Sequence, residues 1–300
     1  MGTVISIAAR MELDRDPDPA AASSSAAGTD TFALATDAAF ACLRDADRIF
    51  STYRPDSPIS RIRDGRLSPD RLPDHPDGEA IRTVLALSAQ LKRESDGAFD
   101  IWSVAAQTPG SAESPDLPDL AEPGFDPSGL VKGWAAERAS RRLAESGVPS
   151  HSLGAGGDIQ VRGGRLIPRA EPRPWRIGVS DPHRAGRLLT VVELDDGAVA
   201  TSGTAERGAH IWDPRRRAPA TALASVTIVG PELTWADGYA TAAQALGGSD
   251  VAQLGTVYAW LHDLAARTGY QAFTVTRDTE VWWTPGFLEH APELRELLNR

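Results

Sequence analysis

Ala224-Ser225-Val226-Thr227-Ile228-Val229-Gly230, followed closely by Trp235-Ala236-Asp237-Gly238-Tyr239-Ala240-Thr241, reads as a strand that gives way to a helix of small residues. Asp237 and Thr241 are four residues apart, so on a helix their oxygens project from one face. A carboxylate and a hydroxyl so placed suit a hard cation such as Mg²⁺, which takes the rest of its shell from water and phosphate. Asp237 can equally be a helix cap, a common use of aspartate. Alone, the motif favours the cap; its company elsewhere in the chain favours the metal.

Upstream of this run, short strand candidates succeed one another. They are Ser152-Leu153, Ile159 to Arg162, Trp175 to Val179, Leu189 to Leu194 and Ala198 to Ser202. Gly, Pro and Asp separate them, as in an antiparallel sheet. Downstream, Val251 to about Thr268 is expected to be helical, and Ala272–Thr276 with Glu280–Trp283 forms a hairpin. The first half has a different character. A strand runs from the N-terminus to about Met11. A helix from Thr31 to Phe50 carries Phe32, Leu34, Ala39, Leu43, Ala46 and Ile49 at roughly helical spacing. Ser51 to Pro58 is turn chemistry, and Ser68 to Pro76 a proline-rich loop. Further helices are expected from Glu79 to Glu94, stopped by Asp96-Gly97, and from about Gly129 to Gly147. Segments rich in Pro, Ser, Asp and Ala near 14–29 and 107–125 are expected to be low-order loops. Helices and strands are segregated, which places the chain in the α+β class, mostly antiparallel, as a single domain over 1–300.

The 300 residues can bury a substantial core, and no run approaches the length of a membrane span. The formal charge of -10 argues against bulk affinity for nucleic acid or anionic membrane. Phosphate binding would therefore be local. Arg215-Arg216-Arg217, the densest positive cluster, reads as solvated surface. A single cysteine, Cys42, excludes an internal disulfide and any cysteine-built zinc site. The N-terminus lacks the features of a secretory signal, so a cytoplasmic location is expected.

Several clusters share one theme, small residues beside acids in turns. They are Gly97-Ala98-Phe99-Asp100, Asp126-Pro127-Ser128-Gly129-Leu130-Val131-Lys132-Gly133, Leu153-Gly154-Ala155-Gly156-Gly157-Asp158, Ser202 to Gly208, and His210-Ile211-Trp212-Asp213-Pro214. None fits a P-loop or a dinucleotide fingerprint. Together with Met1-Gly2-Thr3, Phe50-Ser51-Thr52-Tyr53-Arg54-Pro55-Asp56-Ser57 and Ala236 to Thr241, they resemble the ApbE-type flavin transferases in identity and order. The resemblance runs from Met1 to about Gly247.

The resemblance implies an Mg²⁺-dependent FAD:protein FMN transferase. Such an enzyme splits the FAD pyrophosphate, joins FMN through a phosphoester to a Thr or Ser hydroxyl of an acceptor protein, and releases AMP. Carried over, Met1, Tyr53, Ala98, Phe99 and Asp100 would line the flavin site. Asp126 and Lys132 would hold other parts of FAD, and His210 with Ile211 would belong to the same site. The metal would be bound by the Gly129 carbonyl, Asp237 and Thr241, and His210 matches the family histidine implicated in activity. Two alternatives keep the same site: a FAD pyrophosphatase giving FMN and AMP, or a flavin-binding carrier without turnover.

Chemistry supports these roles separately. Pyrophosphate cleavage depends on positioning and on neutralising charge around phosphorus, which a cation anchored by Asp237 and Thr241 would do. Imidazole is the natural base near neutral pH, so His210 stands first for activating the acceptor hydroxyl, with Asp237 as fallback. Lys132 can pair with phosphate, and Tyr53 and Phe99 can pack on flat rings. Each has a plainer reading. Tyr53 and Phe99 are often core aromatics. Asp100, Asp126 and Asp158 can simply fix their turns by accepting from backbone amides. His75, His151, His183, His262 and His290 show no ligand spacing and read as structural or exposed.

Overall fold

Most strand runs of the second half of the chain join one antiparallel sheet, while Trp175–Ser180 with Leu188–Leu194 and Trp212–Asp213 with Ala218–Pro219 form separate two-stranded sheets. Amphipathic runs of the first half lie across the main sheet. The structure, a computed structural model, describes residues 3–10, 21–102, 104–105, 123–164, 173–205 and 208–299. In chain order the first half gives β1 (Ile5–Ala9), α1 (Ala21–Phe50), α2 (Pro58–Arg63), α3 (Gly78–Glu94), β2 (Val104–Ala105), β3 (Pro123–Gly124) and α4 (Ser128–Glu145). The strands β4 (His151–Ala155), β5 (Asp158–Arg162), β6 (Trp175–Ser180), β7 (Leu188–Leu194), β8 (Gly197–Gly203), β9 (Trp212–Asp213), β10 (Ala218–Pro219) and β11 (Leu223–Gly230) follow. The chain continues with α5 (Leu233–Gly247), α6 (Gly255–Thr268), β12 (Gln271–Thr276), β13 (Val281–Trp283), α7 (Phe287–His290) and α8 (Pro292–Leu298).

Seven strands form the main sheet in the order β1-β4-β5-β8-β11-β12-β13, every neighbouring pair antiparallel. Its two faces bury different sets, as the pleat requires. Leu153, Ala198, Ala200, Val226, Ile228 and Ala272 face the helical layer and join its core. Val161, Val199, Val229, Phe273 and Val275 point the other way, onto the β6–β7 hairpin and Phe287 of α7. β11 is therefore covered on both sides, and seven of its eight residues are buried. α5 packs on β8 and β11 and against α4, while α1 lies outside α4. The small residues of α5 follow from this: it is buried nearly all round, and a Cβ on Gly238 would meet Leu91 Cδ2 at 2.6 Å.

Three local expectations are corrected. The segment expected to be a loop through Thr29 is helical from Ala21, because its alanines are strong helix formers that extend α1 once the downstream turns have docked. Ser57-Pro58, read as a turn, opens α2: Ser57 Oγ accepts from Ser60 N at 3.0 Å, and Pro58 sits where a missing N–H is harmless. Ser68-Pro69 does the same for a 3₁₀ turn over Pro69–Asp74. Residues 14–20 and 107–122 of the expected loops lie outside the described residues.

His151 is structural, as expected. Its Nε2 is 2.8 Å from Ser140 Oγ and its Nδ1 is 2.7 Å from Val148 O, while Arg162 Nε donates to Ser140 Oγ at 3.1 Å. With Ser140 accepting from Arg162, its proton turns to Nε2, and Nδ1–H donates to the carbonyl; the ring is neutral. Burial is the main cause that lowers its pKa. The unfolded chain takes up that proton at the ordinary histidine value, ~6.5. His151 therefore adds stability in full above that value, and the contribution declines as pH falls below it. A melting series from neutral to mildly acidic pH should show Tm falling through this window, with a shallower slope in His151→Gln.

Candidate active site

Four stretches meet at a cleft of about 120 Å³. The turn after α3 brings Ala98, Phe99 and Asp100; the entry to α4 brings Asp126 and Gly129; the loop into β9 brings His210 and Ile211; α5 brings Thr241. α3 hands over its turn through two left-handed residues, Asp96 (φ 48) and Gly97 (φ 76). Phe99 is then anchored by its amide on Ser95 Oγ at 3.0 Å. Asp126 N donates to Ile101 O at 2.9 Å, tying the first two stretches together.

The plainer roles of two acids hold in the structure. Asp100 Oδ1 accepts from Trp102 N at 3.0 Å, and its Oδ2 pairs with Lys92 Nζ at 2.6 Å. Asp126 Oδ1 accepts from Ser128 N at 2.8 Å, two residues on. Both also line the cleft, so turn fixing and ligand contact are compatible at these positions. Phe99 is buried at 4 % exposure yet lines the cleft.

Asp237 does not cap α5. The helix starts at Leu233, and its first amides are met from elsewhere: Leu233 N donates to Gln160 Oε1 at 3.0 Å and Thr234 N to Glu137 Oε2 at 3.1 Å. Asp237 falls in the second turn, 3 % exposed, where its Oδ2 accepts from Gly133 N at 2.8 Å. One turn further, Thr241 Oγ1 lies 3.4 Å from the Gly129 carbonyl and 3.4 Å from Ser202 Oγ. The α4–α5 contact thus holds a carboxylate on the Gly133 amide and, one helical turn away, a hydroxyl beside the Gly129 carbonyl.

Behind the cleft Lys132 Nζ sits 2.6 Å from Asp158 Oδ2 and 3.4 Å from Asp237 Oδ1. Gly156 (φ 58) and Gly157 (φ 93) form the two-residue turn between β4 and β5 that sets Asp158 at the head of its strand. From there the side chain turns inward, its Oδ1 accepting from Thr201 N of β8 at 3.0 Å. Asp158 therefore does bond a backbone amide, but on a neighbouring strand. Burial, and then the charge of Asp237, push its carboxyl up to about 7 against the pull of Lys132. Burial works to lower the Lys132 pKa, yet Asp237 and Asp158 together raise it above the usual lysine value.

Other expected site residues are placed as follows. His210 is exposed on the cleft wall, its Nδ1 3.1 Å from Gly208 O, with half-buried Ile211 beside it. Tyr53 is 84 % exposed and is not among the residues lining the cleft; Met1 lies outside the described residues. The arginine cluster is not simply solvated surface. Arg215 Nε and Arg216 Nη1 reach the fully buried Asp213 at 3.3 and 2.7 Å, which pins the β9–β10 turn beneath His210. The spacing of Asp213, Arg215 and Arg216 in one turn was a local signal for these pairs; the burial of Asp213 was not visible in it.

At Gly133 the helices α4 and α5 approach closely: a Cβ there would lie 2.5 Å from Leu233 O and 2.7 Å from Asp237 Cβ. Gly133→Ala should force α4 off α5, lowering stability by about 1–3 kcal/mol and displacing Asp237. Thermal melts together with turnover would show both losses; a normal Tm with normal activity would contradict the close approach.

The described helices include none long and apolar enough to cross a membrane. Compared with known proteins, the chain matches the model of the ApbE family over residues 1–122 and 111–258. It is 24% identical to the FAD:protein FMN transferase of Salmonella typhimurium over 291 residues, covering 80% of this chain and 77% of that protein. It is 28% identical to that of Rhodobacter capsulatus over 246 residues, 68% of this chain and 44% of the other. The solved flavin transferase ApbE from Vibrio cholerae superposes with a TM-score of 0.68 at 19% identity, covering 97% of this chain and 96% of that one. The ApbE protein of Thermotoga maritima gives 0.65 at 23% identity, over 86% and 91%. The α+β architecture with its mostly antiparallel sheet is thus that of solved ApbE structures, and with the family model matched across most of its length the chain belongs to the ApbE family.

Proposed function

We propose that this protein cleaves FAD and attaches FMN to a Thr or Ser hydroxyl of an acceptor protein, with AMP as the second product and Mg²⁺ as the cofactor. The observation that carries this reading is that Thr241 and Gly129, 3.4 Å apart, line a cleft shared with His210, while Asp237, one helical turn before Thr241, is buried against Gly133 of the same helix pair, in a chain whose relatives are named FAD:protein FMN transferases.

The donor set fits a hard divalent ion. It is all oxygen, it mixes one carboxylate with neutral groups, and it leaves room for water and phosphate, as Mg²⁺ prefers. Among the described residues no cluster of three or more His, Cys, Asp and Glu competes for a metal. A positive charge already stands beside Asp237, the Lys132 ammonium 3.4 Å from Oδ1. Asp237, Thr241 and the Gly129 carbonyl would hold the ion. When bound, it neutralises charge on the anhydride oxygens of the substrate.

The protein's own groups do the rest. Ala98, Phe99 and Ile211 would offer apolar surface to the flavin ring, and Asp126, which lines the same cleft, and Lys132 would hold other parts of FAD. The acceptor oxygen attacks the FMN-side phosphorus, the bond from that phosphorus to the bridging oxygen breaks, and AMP departs with that oxygen. His210 takes the proton of the acceptor hydroxyl. Its Nδ1–H donates to Gly208 O, which leaves Nε2 as the acceptor.

The test is incubation with FAD, Mg²⁺ and a candidate acceptor, read by mass spectrometry for an FMN phosphoester and by AMP release. Stoichiometric adduct and AMP are expected. Sustained AMP release without acceptor would make the protein a FAD pyrophosphatase, and tight FAD binding with no AMP under any divalent ion would make it a carrier.

A further inference from the structure

Asp158 is 1 % exposed and is not among the residues lining the cleft. Its Oδ1 is committed to Thr201 N, while its Oδ2 lies closer to the Lys132 ammonium than Asp237 does, 2.6 against 3.4 Å. The two carboxylates thus compete for one cation. Asp158 is fixed by the β4–β5 turn and by the ladder to β8, whereas Lys132 rides on a flexible four-carbon stem. The stem goes where the charge pulls it, and the rigid partner decides the place.

We propose that Asp158 is a positioning residue that holds the Lys132 ammonium away from Asp237, keeping the Asp237 carboxylate available to a divalent cation. The proposal rests on the metal reading of Asp237, Thr241 and Gly129. Without the Asp158 charge, Lys132 turns to Asp237 and forms a neutral pair with it. A divalent ion then has to displace an ammonium from its own anchor, in surroundings that have lost one negative charge.

The test is Mn²⁺ binding to the full chain without flavin or acceptor, followed by the EPR signal of free Mn²⁺ in alkaline buffer, where the carboxylates are ionised. Asp158→Asn keeps an oxygen for Thr201 N but turns an amide N–H toward Lys132. Mn²⁺ affinity should fall about 10–100-fold, as for other groups that orient metal ligands. Adding Lys132→Met to Asp158→Asn removes the competing cation and should restore most of the affinity, a rescue that misfolding would not give. Equal affinity in wild type and Asp158→Asn, or no rescue by Lys132→Met, overturns the proposal. Wild-type binding that is lost in Asp237→Asn confines such a failure to Asp158. A wild type that binds no Mn²⁺ removes the metal site, and this proposal with it.

Discussion

Asp237→Asn should lower Mg²⁺-dependent FMN transfer by about 10²–10³-fold, the usual cost of losing one preorganised electrostatic group, while leaving the fold in place. The asparagine carbonyl can still accept from Gly133 N, so the hydrogen bond between α5 and α4 survives. Only the charge is lost, and Lys132 retains Asp158 as a partner. Asp237→Ala is a cruder probe: it also removes the oxygen to which the buried Gly133 N donates, a further cost of about 1–3 kcal/mol in stability. Rates measured across a Mg²⁺ series, with Tm recorded for each variant, separate the two effects. Thr241→Ala should have the smaller consequence, a higher Mg²⁺ requirement, because a hydroxyl is a weaker ligand than a carboxylate. Full activity in both variants would eliminate the cation site.

For His210→Ala a loss of about 10²–10⁴-fold in kcat is expected, the range for removal of a general base, with KM for FAD little changed. The side chain is exposed and packs in neither core cluster, so its truncation should not disturb the fold. Its Nδ1 contact with Gly208 O sets the tautomer that leaves Nε2 free to accept a proton. Single-turnover kinetics at saturating FAD provide the measurement, since they isolate the chemical step from binding and product release. A raised KM with an intact single-turnover rate would instead make His210 a binding group and pass the role of base to Asp237.

Much of the architecture was legible because it is written in local periodicity. The alternating runs at 159–162, 175–179, 189–194, 198–202, 224–229 and 272–276 all became strands, with ends displaced by a residue or two. The helices over Glu79–Glu94 and from Gly129 were equally clear. The errors at Ala21, Ser57 and Ser68 share one cause: Ala, Ser and Pro serve loops and helix starts alike, and docking chooses between them. The candidate site was less legible. Asp237 and Thr241 could be paired by their spacing, but the cap alternative fell only when Gln160 and Glu137 were found on the first amides of α5.

The amino-acid order by itself determined the α+β class, the turn chemistry around each glycine, and the helical face shared by Asp237 and Thr241, because these depend on neighbours within a few residues. The tertiary structure alone decided that Lys132 stands between Asp158 and Asp237, that Asp213 is buried beside Arg215 and Arg216, and that the Gly129 carbonyl lies against Thr241. Most of these contacts join residues far apart in the chain, and even Asp213 is buried only through packing from other elements. Charge, desolvation and close helix packing act through space, so the local pattern shows at most which groups can pair, as at Asp213 and Arg216, and not which are buried.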